Sequence, residues 1–112
     1  MGAGFVRICT DANFERDVLG SSRPVLVAFG TSWCGPCRLL GPGLRALAAT
    51  EKERLMVAKL DVDANPATAE RYEVETFPVC ILFSDGKEIE RLDGYMPLRK
   101  IETLLAPHLA AA

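Results

Sequence analysis

The sequence has no apolar run that approaches the ~18 residues needed for a membrane-spanning helix, so we expect no transmembrane segment. The N-terminus also lacks the charged start and apolar run of a secretory signal peptide. Gly2 is compatible with N-myristoylation, but Val6 occupies the position where that motif requires serine or threonine. These absences favour a cytoplasmic protein, in which cysteines are expected to be reduced unless a pair has a redox function.

An excess of positive charge is also missing from the sequence. The 112 residues carry 13 lysines and arginines against 15 aspartates and glutamates, a net charge of −2, with no basic block and no basic helix face. Nucleic acids and anionic membranes bind proteins through clusters of lysine and arginine. We therefore expect neither of them as a partner.

The chain contains no internal repeat, linker or low-complexity segment that would divide it. A chain of this length can bury an adequate hydrophobic core without disulfide bonds to stabilise it. We therefore predict a single domain that covers residues 1–112.

Two cysteines, Cys34 and Cys37, lie between a predicted buried strand and a predicted amphipathic helix. Residues 24–29 (PVLVAF) form a continuous apolar run that ends at Gly30, which is typical of a strand covered on both faces. From Cys37 to Ala48, apolar residues recur at helical spacing. The sequence therefore predicts that the chain passes from strand to helix at the two cysteines.

The rest of the chain predicts an alternation of strands and helices. In chain order the elements are a strand over residues 6–9, a helix from Thr10 to Gly20, a strand over 25–29, a helix from the cysteines to about Lys52, a strand over 56–61, a helix from Pro66 to about Tyr72, strands over 79–83 and 87–93, and a final helix from Leu98 towards Pro107. We expect Thr10 and Asn65 to be N-caps and the long helix to continue, kinked, through Pro42. Strand–helix–strand units give a parallel core and the Asp85-Gly86 turn adds an antiparallel edge, so the predicted class is α/β.

The spacing of Cys34 and Cys37 suits dithiol chemistry, because residues three apart lie on the same face of a helix and their thiols can form a disulfide. Unpaired N–H groups and partial positive charge at a helix N-terminus stabilise a thiolate. A free thiol titrates near ~8.5, whereas thiols at such sites reach about 7 or below. We expect Cys34, predicted to be the more exposed, to attack a disulfide, and Cys37, predicted to be less solvated, to resolve the mixed disulfide.

Gly35 and Pro36 between the cysteines support this interpretation. Proline is tolerated in the first turn of a helix, where its missing N–H would have had no partner, and it limits the freedom of the loop.

A zinc site is the main alternative for a C-x-x-C pair, but zinc requires four ligands. Cys9, Cys80 and His108 are isolated in the sequence and lack paired spacing, so we expect no metal site. Cys9 and Cys80 lie in apolar strand segments, where a free cysteine is usually a small buried hydrophobe. We expect His108 to be a solvated residue at a helix end.

Residues 33–37 (WCGPC), followed by Arg38 and by Pro42 within the helix, resemble the active-site segment of the thioredoxin family. The resemblance continues along the whole chain through residues 57–63, 65–66, 76–78 and Gly94. It implies the thioredoxin fold, a central mixed five-stranded sheet flanked on both faces by four helices.

The resemblance also implies a substrate-binding surface around the cysteines. Phe77–Pro78 would be a cis peptide bond, and Pro78 would face Cys34. The backbone beside Pro78 would pair with an extended segment of the partner protein. Trp33, Phe77, Pro78 and Gly94 would form an apolar rim; without the resemblance, Trp33 and Phe77 would equally suit ordinary core packing.

In function, the resemblance implies a protein-disulfide reductase that binds no cofactor of its own. Its reducing equivalents would come from NADPH through a flavoprotein thioredoxin reductase. The expected partners are therefore disulfide-containing target proteins and that reductase, with the chain itself a monomer.

Two residues depart from the family pattern. Ala28 stands where the family has a buried aspartate thought to accept the proton of the resolving thiol, and Gly30 stands where tryptophan is common. Lys59, which supports that acid in the family, loses its partner here. We therefore expect Lys59 to extend to solvent, to find another carboxylate, or to have a lowered pKa.

We expect disulfide reduction to be retained with a slow resolving step, because Cys37 must give its proton to water or to another base. The alternative is a thioredoxin-fold binding module that keeps the cysteines but has little redox turnover. A third possibility is a dimer bridged by a metal or cluster on the cysteines.

Overall fold

The computed structural model describes residues 4–109. Its elements, in chain order, are β1 Arg7–Ile8, a short π-helix Glu15–Leu19, β2 Val25–Gly30, α1 Gly35–Thr50, β3 Met56–Asp61, α2 Pro66–Arg71, β4 Val79–Ser84, β5 Lys87–Asp93, α3 Leu98–Leu105 and a 3₁₀ turn Ala106–His108. The predicted order of elements is confirmed, and α1 runs without interruption through Pro42. Across residues 4–109, no helix combines the length and apolarity needed to cross a membrane.

The five strands form one mixed sheet in the order β1-β3-β2-β4-β5. β3 lies parallel to both β1 and β2, whereas β4 lies antiparallel to β2 and to β5. Because β2 is central, its side chains are covered on both sides, which explains the continuous apolar run in its sequence. This is the α/β architecture with a mixed five-stranded sheet that the sequence predicts.

The core consists of two layers, one on each face of the sheet. On one face, Leu26 and Ala28 of β2 pack with residues of α1 and α3. On the other, Val25, Val27 and Phe29 pack with the π-helix and α2 segments. Alternate residues of one strand therefore fix helices on opposite faces.

One row of the sheet determines what lies beneath the cysteines. The register places Ile8, Lys59, Ala28, Cys80 and Leu92 side by side across the five strands. Residues aligned in this way project from the same face, and Ala28, Cys80 and Leu92 belong to the core layer under α1. The short side chain of Ala28 thus lies directly beside Lys59.

The first helix is shorter than the sequence predicts. The prediction placed its start at Thr10, but the π-helix begins at Glu15. Thr10 and Asn13 exchange two hydrogen bonds between side chain and backbone, of 2.7 and 3.1 Å. These bonds hold the segment in a turn, since such side chains compete with helical pairing.

The cap of α2 comes from a distant segment. Asn65 occupies the N-cap position, as predicted, but its side chain makes no capping hydrogen bond. Its Oδ1 instead accepts a bond from the Asp11 backbone N–H at 2.9 Å, while the Asp11 carboxylate accepts bonds from the N–H groups of Ala67 and Thr68 at 3.1 and 2.8 Å. Burial opposes ionisation of Asp11, but the hydrogen bond from the Thr68 hydroxyl, together with those from the two N–H groups, lowers the pKa of this carboxyl below its usual range.

Candidate active site around Cys34 and Cys37

Cys34 and Cys37 form a disulfide at the N-terminus of α1, with their Cα atoms 5.2 Å apart. Cys34 is the N-cap of the helix, and its Sγ accepts a hydrogen bond from the Cys37 backbone N–H at 3.2 Å. Pro36 lies in the first helical turn, as expected from its fixed φ. The attacking sulfur assigned from the sequence thus already accepts a hydrogen bond from one N–H group of the first helical turn, the kind of group that favours a thiolate.

The structure reverses the predicted exposure of the two cysteines. Cys34 is buried, with 6% of its surface exposed, whereas Cys37 is partly exposed. The partial exposure of Cys37 comes from an open cavity, which Cys37 lines together with Ala28 and Gly30. Because neither Ala28 nor Gly30 has a long side chain, nothing from β2 covers Cys37 there.

Lys59 extends to solvent, which is one of the three outcomes expected for it. The residue is exposed although it lies next to the buried Ala28 in the sheet. Within residues 4–109 its ammonium group makes no hydrogen bond or ion pair, so it has not found another carboxylate. Lys59 lines the same cavity as Cys37.

The predicted rim residues fall into two contacting pairs. Trp33 is 66% exposed, and its ring meets that of Phe77 edge to face at a centroid distance of 6.1 Å. The Phe77–Pro78 peptide bond is cis, which confirms that prediction. The Gly94 N–H donates to the Pro78 carbonyl at 2.8 Å, and Gly94 has a φ of +80°, a conformation that glycine adopts without strain.

Asp63 is a site residue that sequence reasoning missed. Its Oδ2 accepts a hydrogen bond from the Trp33 indole N–H at 2.9 Å, which orients the exposed ring. The predicted strand order could have indicated this contact. β2 and β3 are parallel neighbours, so the loops that follow them emerge at the same edge of the sheet, and these loops carry Trp33 and Asp63.

The two remaining cysteines lie away from this site, in the core. Cys9 and Cys80 are 2% and 3% exposed, as predicted for small buried hydrophobes. Burial raises the pKa of each thiol to about 12, so both stay protonated and unreactive at neutral pH.

The possible metal ligands are dispersed in the part of the chain that the structure describes. Residues 4–109 contain no cluster of three or more histidine, cysteine, aspartate or glutamate side chains that could hold an ion. His108 is not the solvated residue expected from the sequence, because it is half-buried and its Nε2 lies 3.0 Å from Glu90 Oε1.

Comparison with known proteins agrees with this geometry. The family model for thioredoxin matches residues 5–107. This chain belongs to the thioredoxin family. It is 52% identical to a thioredoxin of Mycolicibacterium smegmatis over 87 residues, 76% of this chain and 78% of that protein. It is 42% identical to a thioredoxin of Alicyclobacillus acidocaldarius over 97 residues, 87% of this chain and 91% of that one.

A third relative is named for two functions. A bifunctional thioredoxin reductase/thioredoxin of Mycobacterium leprae is 46% identical over 92 residues, which cover 82% of this chain and 20% of that protein. Family membership and the Cys34–Cys37 disulfide together make thiol–disulfide exchange the chemistry of this site.

Gly30 is required for the position of the Cys37 sulfur. A Cβ built on Gly30 would lie 2.9 Å from Cys37 Sγ, closer than such atoms approach in proteins. We therefore expect Gly30→Ala to lower the free energy of unfolding of the oxidised protein by about 1–3 kcal/mol in urea denaturation. The loss should be smaller for the reduced protein, whose free Cys37 thiol can rotate away.

Gly43→Ala is the matched control, since a Cβ there meets only ordinary contacts, the closest at 3.7 Å from Leu98. This change should leave stability equal or slightly higher, because alanine is the better helix former. Equal stability of Gly30→Ala and the wild type in the oxidised state would show that Gly30 does not restrict Cys37.

Proposed function

We propose that this chain is a thiol–disulfide oxidoreductase that reduces disulfides in partner proteins through Cys34 and Cys37. The observation that carries the proposal is the disulfide at the N-terminus of α1, in a chain that belongs to the thioredoxin family. Dithiol exchange needs two sulfurs within bonding reach and one of them beside groups that stabilise a thiolate, and this pair meets both requirements.

The reaction proceeds in two exchange steps. The Cys34 thiolate attacks one sulfur of the partner disulfide, so that a mixed disulfide forms and the other partner sulfur leaves as a thiolate. The Cys37 thiol then loses its proton, and its sulfur attacks Cys34 Sγ and releases the second partner thiolate. The partner gains two electrons, and the Cys34–Cys37 disulfide is restored.

Cys37 is suited to the resolving step because it is held one helical turn from Cys34. Its attack is intramolecular, and such reactions proceed at high effective concentration compared with thiols in solution. Gly35 and Pro36 support the step by keeping the two cysteines in one turn of the helix.

The partner binds beside the cis Phe77–Pro78 bond. An extended segment of the partner pairs with the backbone at Pro78, in the manner of an added strand. Trp33, Phe77, Pro78 and Gly94 provide the contact surface, and the exposed Trp33 ring is oriented for this by Asp63.

Reducing equivalents come from NADPH through a flavoprotein thioredoxin reductase, and the chain binds no cofactor itself. The reductase–thioredoxin relative of Mycobacterium leprae supports this assignment, because the two functions in its name belong to one chain. The protein acts in the cytoplasm as a monomer with a single domain over residues 1–112, and its targets are disulfide-containing proteins.

Insulin reduction with dithiothreitol tests the function directly. The wild type should accelerate precipitation of the insulin B chain, whereas Cys34→Ser should have no activity because the attacking thiolate is lost. Cys37→Ser should accumulate a mixed disulfide on Cys34, visible by mass spectrometry.

Cys9→Ala is the control, since Cys9 is buried and outside the site. Its activity should match that of the wild type. A wild type without activity in this assay would instead favour a binding module that uses the Phe77–Pro78 surface without redox turnover.

Ala28→Asp should accelerate the resolving step, because it places a carboxylate in the cavity that Cys37 lines. General base catalysis contributes roughly 10²–10⁴-fold where geometry is favourable, so even an imperfectly placed acid should give a measurable increase. The measurement is stopped-flow release of a chromophoric thiol from a mixed disulfide on Cys34.

Ala28→Asn provides the matched control, with the same shape and no ionisable group. Its resolving rate should stay at or below that of the wild type. If Ala28→Asp resolves no faster than Ala28→Asn, proton transfer from Cys37 does not limit the step.

A further inference from the structure

The two cysteines of the disulfide differ in their access to solvent. Cys34 is buried, with 6% of its surface exposed, whereas Cys37 is partly exposed and lines an open cavity of about 550 Å³. Cys34 is not among the residues that line this cavity. A small molecule that approaches the disulfide through the cavity therefore meets Cys37 rather than Cys34.

The Cys37 sulfur lies at the wall that β2 contributes to the cavity. A Cβ built on Gly30 would lie 2.9 Å from Cys37 Sγ, and glycine leaves that position empty. Ala28, which lines the same cavity, adds only a methyl group. Neither residue extends a long side chain over the sulfur, so a molecule of a few atoms can reach it.

The first turn of α1 makes Cys34 the better leaving group of the two. The Cys37 backbone N–H donates to Cys34 Sγ at 3.2 Å, and such a bond at a helix N-terminus stabilises negative charge on the sulfur. The rate of thiol–disulfide exchange depends on which sulfur is accessible, and it rises as the departing thiolate becomes more stable. Both conditions favour attack on Cys37 with departure of Cys34.

A protein partner reaches the disulfide in a different way. In the function proposed above, its segment is held at the Phe77–Pro78 backbone, and this contact brings its sulfur to Cys34. Of the rim residues, Pro78 lines the cavity, whereas Trp33, Phe77 and Gly94 do not. A small thiol has too few atoms to be held firmly by the rim. Its point of attack is therefore determined by access and by the leaving group.

We propose that low-molecular-weight thiols reduce the oxidised protein through this cavity, by attack on Cys37 rather than on Cys34. The thiolate of the small thiol bonds to Cys37 Sγ, the bond between the two cysteine sulfurs breaks, and Cys34 leaves as a thiolate. A second small thiolate then attacks the sulfur that the first one contributed, and the Cys37 thiolate is released together with a small-molecule disulfide. Two electrons pass from the two small thiols to the protein.

This reaction goes beyond the proposed function, because it requires the disulfide and the cavity but no protein partner. Its product is the dithiol form that reduces partner proteins in the proposed function. Small thiols would thus supply reducing equivalents by a route separate from the rim.

The attacked sulfur is identified by trapping the first adduct of the oxidised wild type. The protein is mixed with 2-mercaptoethanol in a quench-flow instrument, and excess N-ethylmaleimide then alkylates the freed cysteine before the disulfide closes again. Peptide mass spectrometry should find mercaptoethanol on Cys37 and maleimide on Cys34, with the opposite arrangement about tenfold rarer or less. An adduct found mainly on Cys34, or divided equally between the two cysteines, would overturn the proposal.

The cavity is tested by the rate of reduction, which requires no trapped intermediate and decides the question even where the adduct is too short-lived to capture. Ala28→Leu should slow reduction by 2-mercaptoethanol about tenfold or more, because its side chain fills the space beside Cys37. The reaction is followed by the fluorescence of Trp33, the single tryptophan of the chain. Ala67→Leu is the matched control, at an exposed position of α2 outside the cavity, and should react at the wild-type rate.

The outcomes separate this proposal from the proposed function. A wild type that gives the adduct on Cys37 but does not reduce insulin would support the cavity route and overturn the proposed function. A wild type that reduces insulin but gives the adduct on Cys34 would overturn this proposal alone. The same conclusion follows if folded Ala28→Leu is reduced by 2-mercaptoethanol as fast as Ala67→Leu.

Discussion

The packing of α1 against the sheet determines where the reactive sulfurs lie. Leu40, Leu44 and Leu47 of this helix are buried in the core layer beneath it, and burial of each such side chain contributes roughly 1.5–3 kcal/mol relative to exposure. Because these three leucines fix the helix against the sheet, its N-terminal turn is fixed as well. That turn holds the disulfide, with Cys34 as its cap.

The side chains beneath the helix then determine how far each of the two cysteines is exposed. In the row of the sheet that passes below the disulfide, Ala28 lies between Lys59 and Cys80, and Gly30 leaves room for the Cys37 sulfur. A longer residue at either position would fill the space that now reaches Cys37. The same helix that buries Cys34 therefore leaves Cys37 open to a cavity bordered by positive charge.

Much of this arrangement could be predicted from residues that act locally. The apolar run predicts β2, the helical spacing of apolar residues predicts α1, and the Asp85-Gly86 turn predicts the hairpin of β4 and β5. The structure has all three. The cis Phe77–Pro78 bond was predicted only through the resemblance to a family, since the residues alone would favour trans. The capping of α2 by Asp11 could not be predicted from a local pattern, because Asp11 lies more than fifty residues from that helix.

The exposure of the cysteines was predicted wrongly for a similar reason. Position along a helix suggests that the first cysteine is exposed and the one a turn later is buried. The actual burial depends on residues of another element, Ala28 and Gly30, which the pattern around the cysteines does not include. The sequence identified both residues as departures from the family, but only the structure showed that they open a space beside Cys37.

We propose that Cys37 resolves the mixed disulfide without an acid of the protein as its base. The most direct measurement is the pH dependence of the resolving rate, followed by stopped flow in chloride buffers without carboxylates. We predict that the rate rises with the thiolate fraction of Cys37 alone, with a single ionisation over the accessible range. A second ionisation below about pH 7, in the range where a perturbed carboxyl group titrates, would show that a carboxylate of the protein takes the proton, contrary to this proposal.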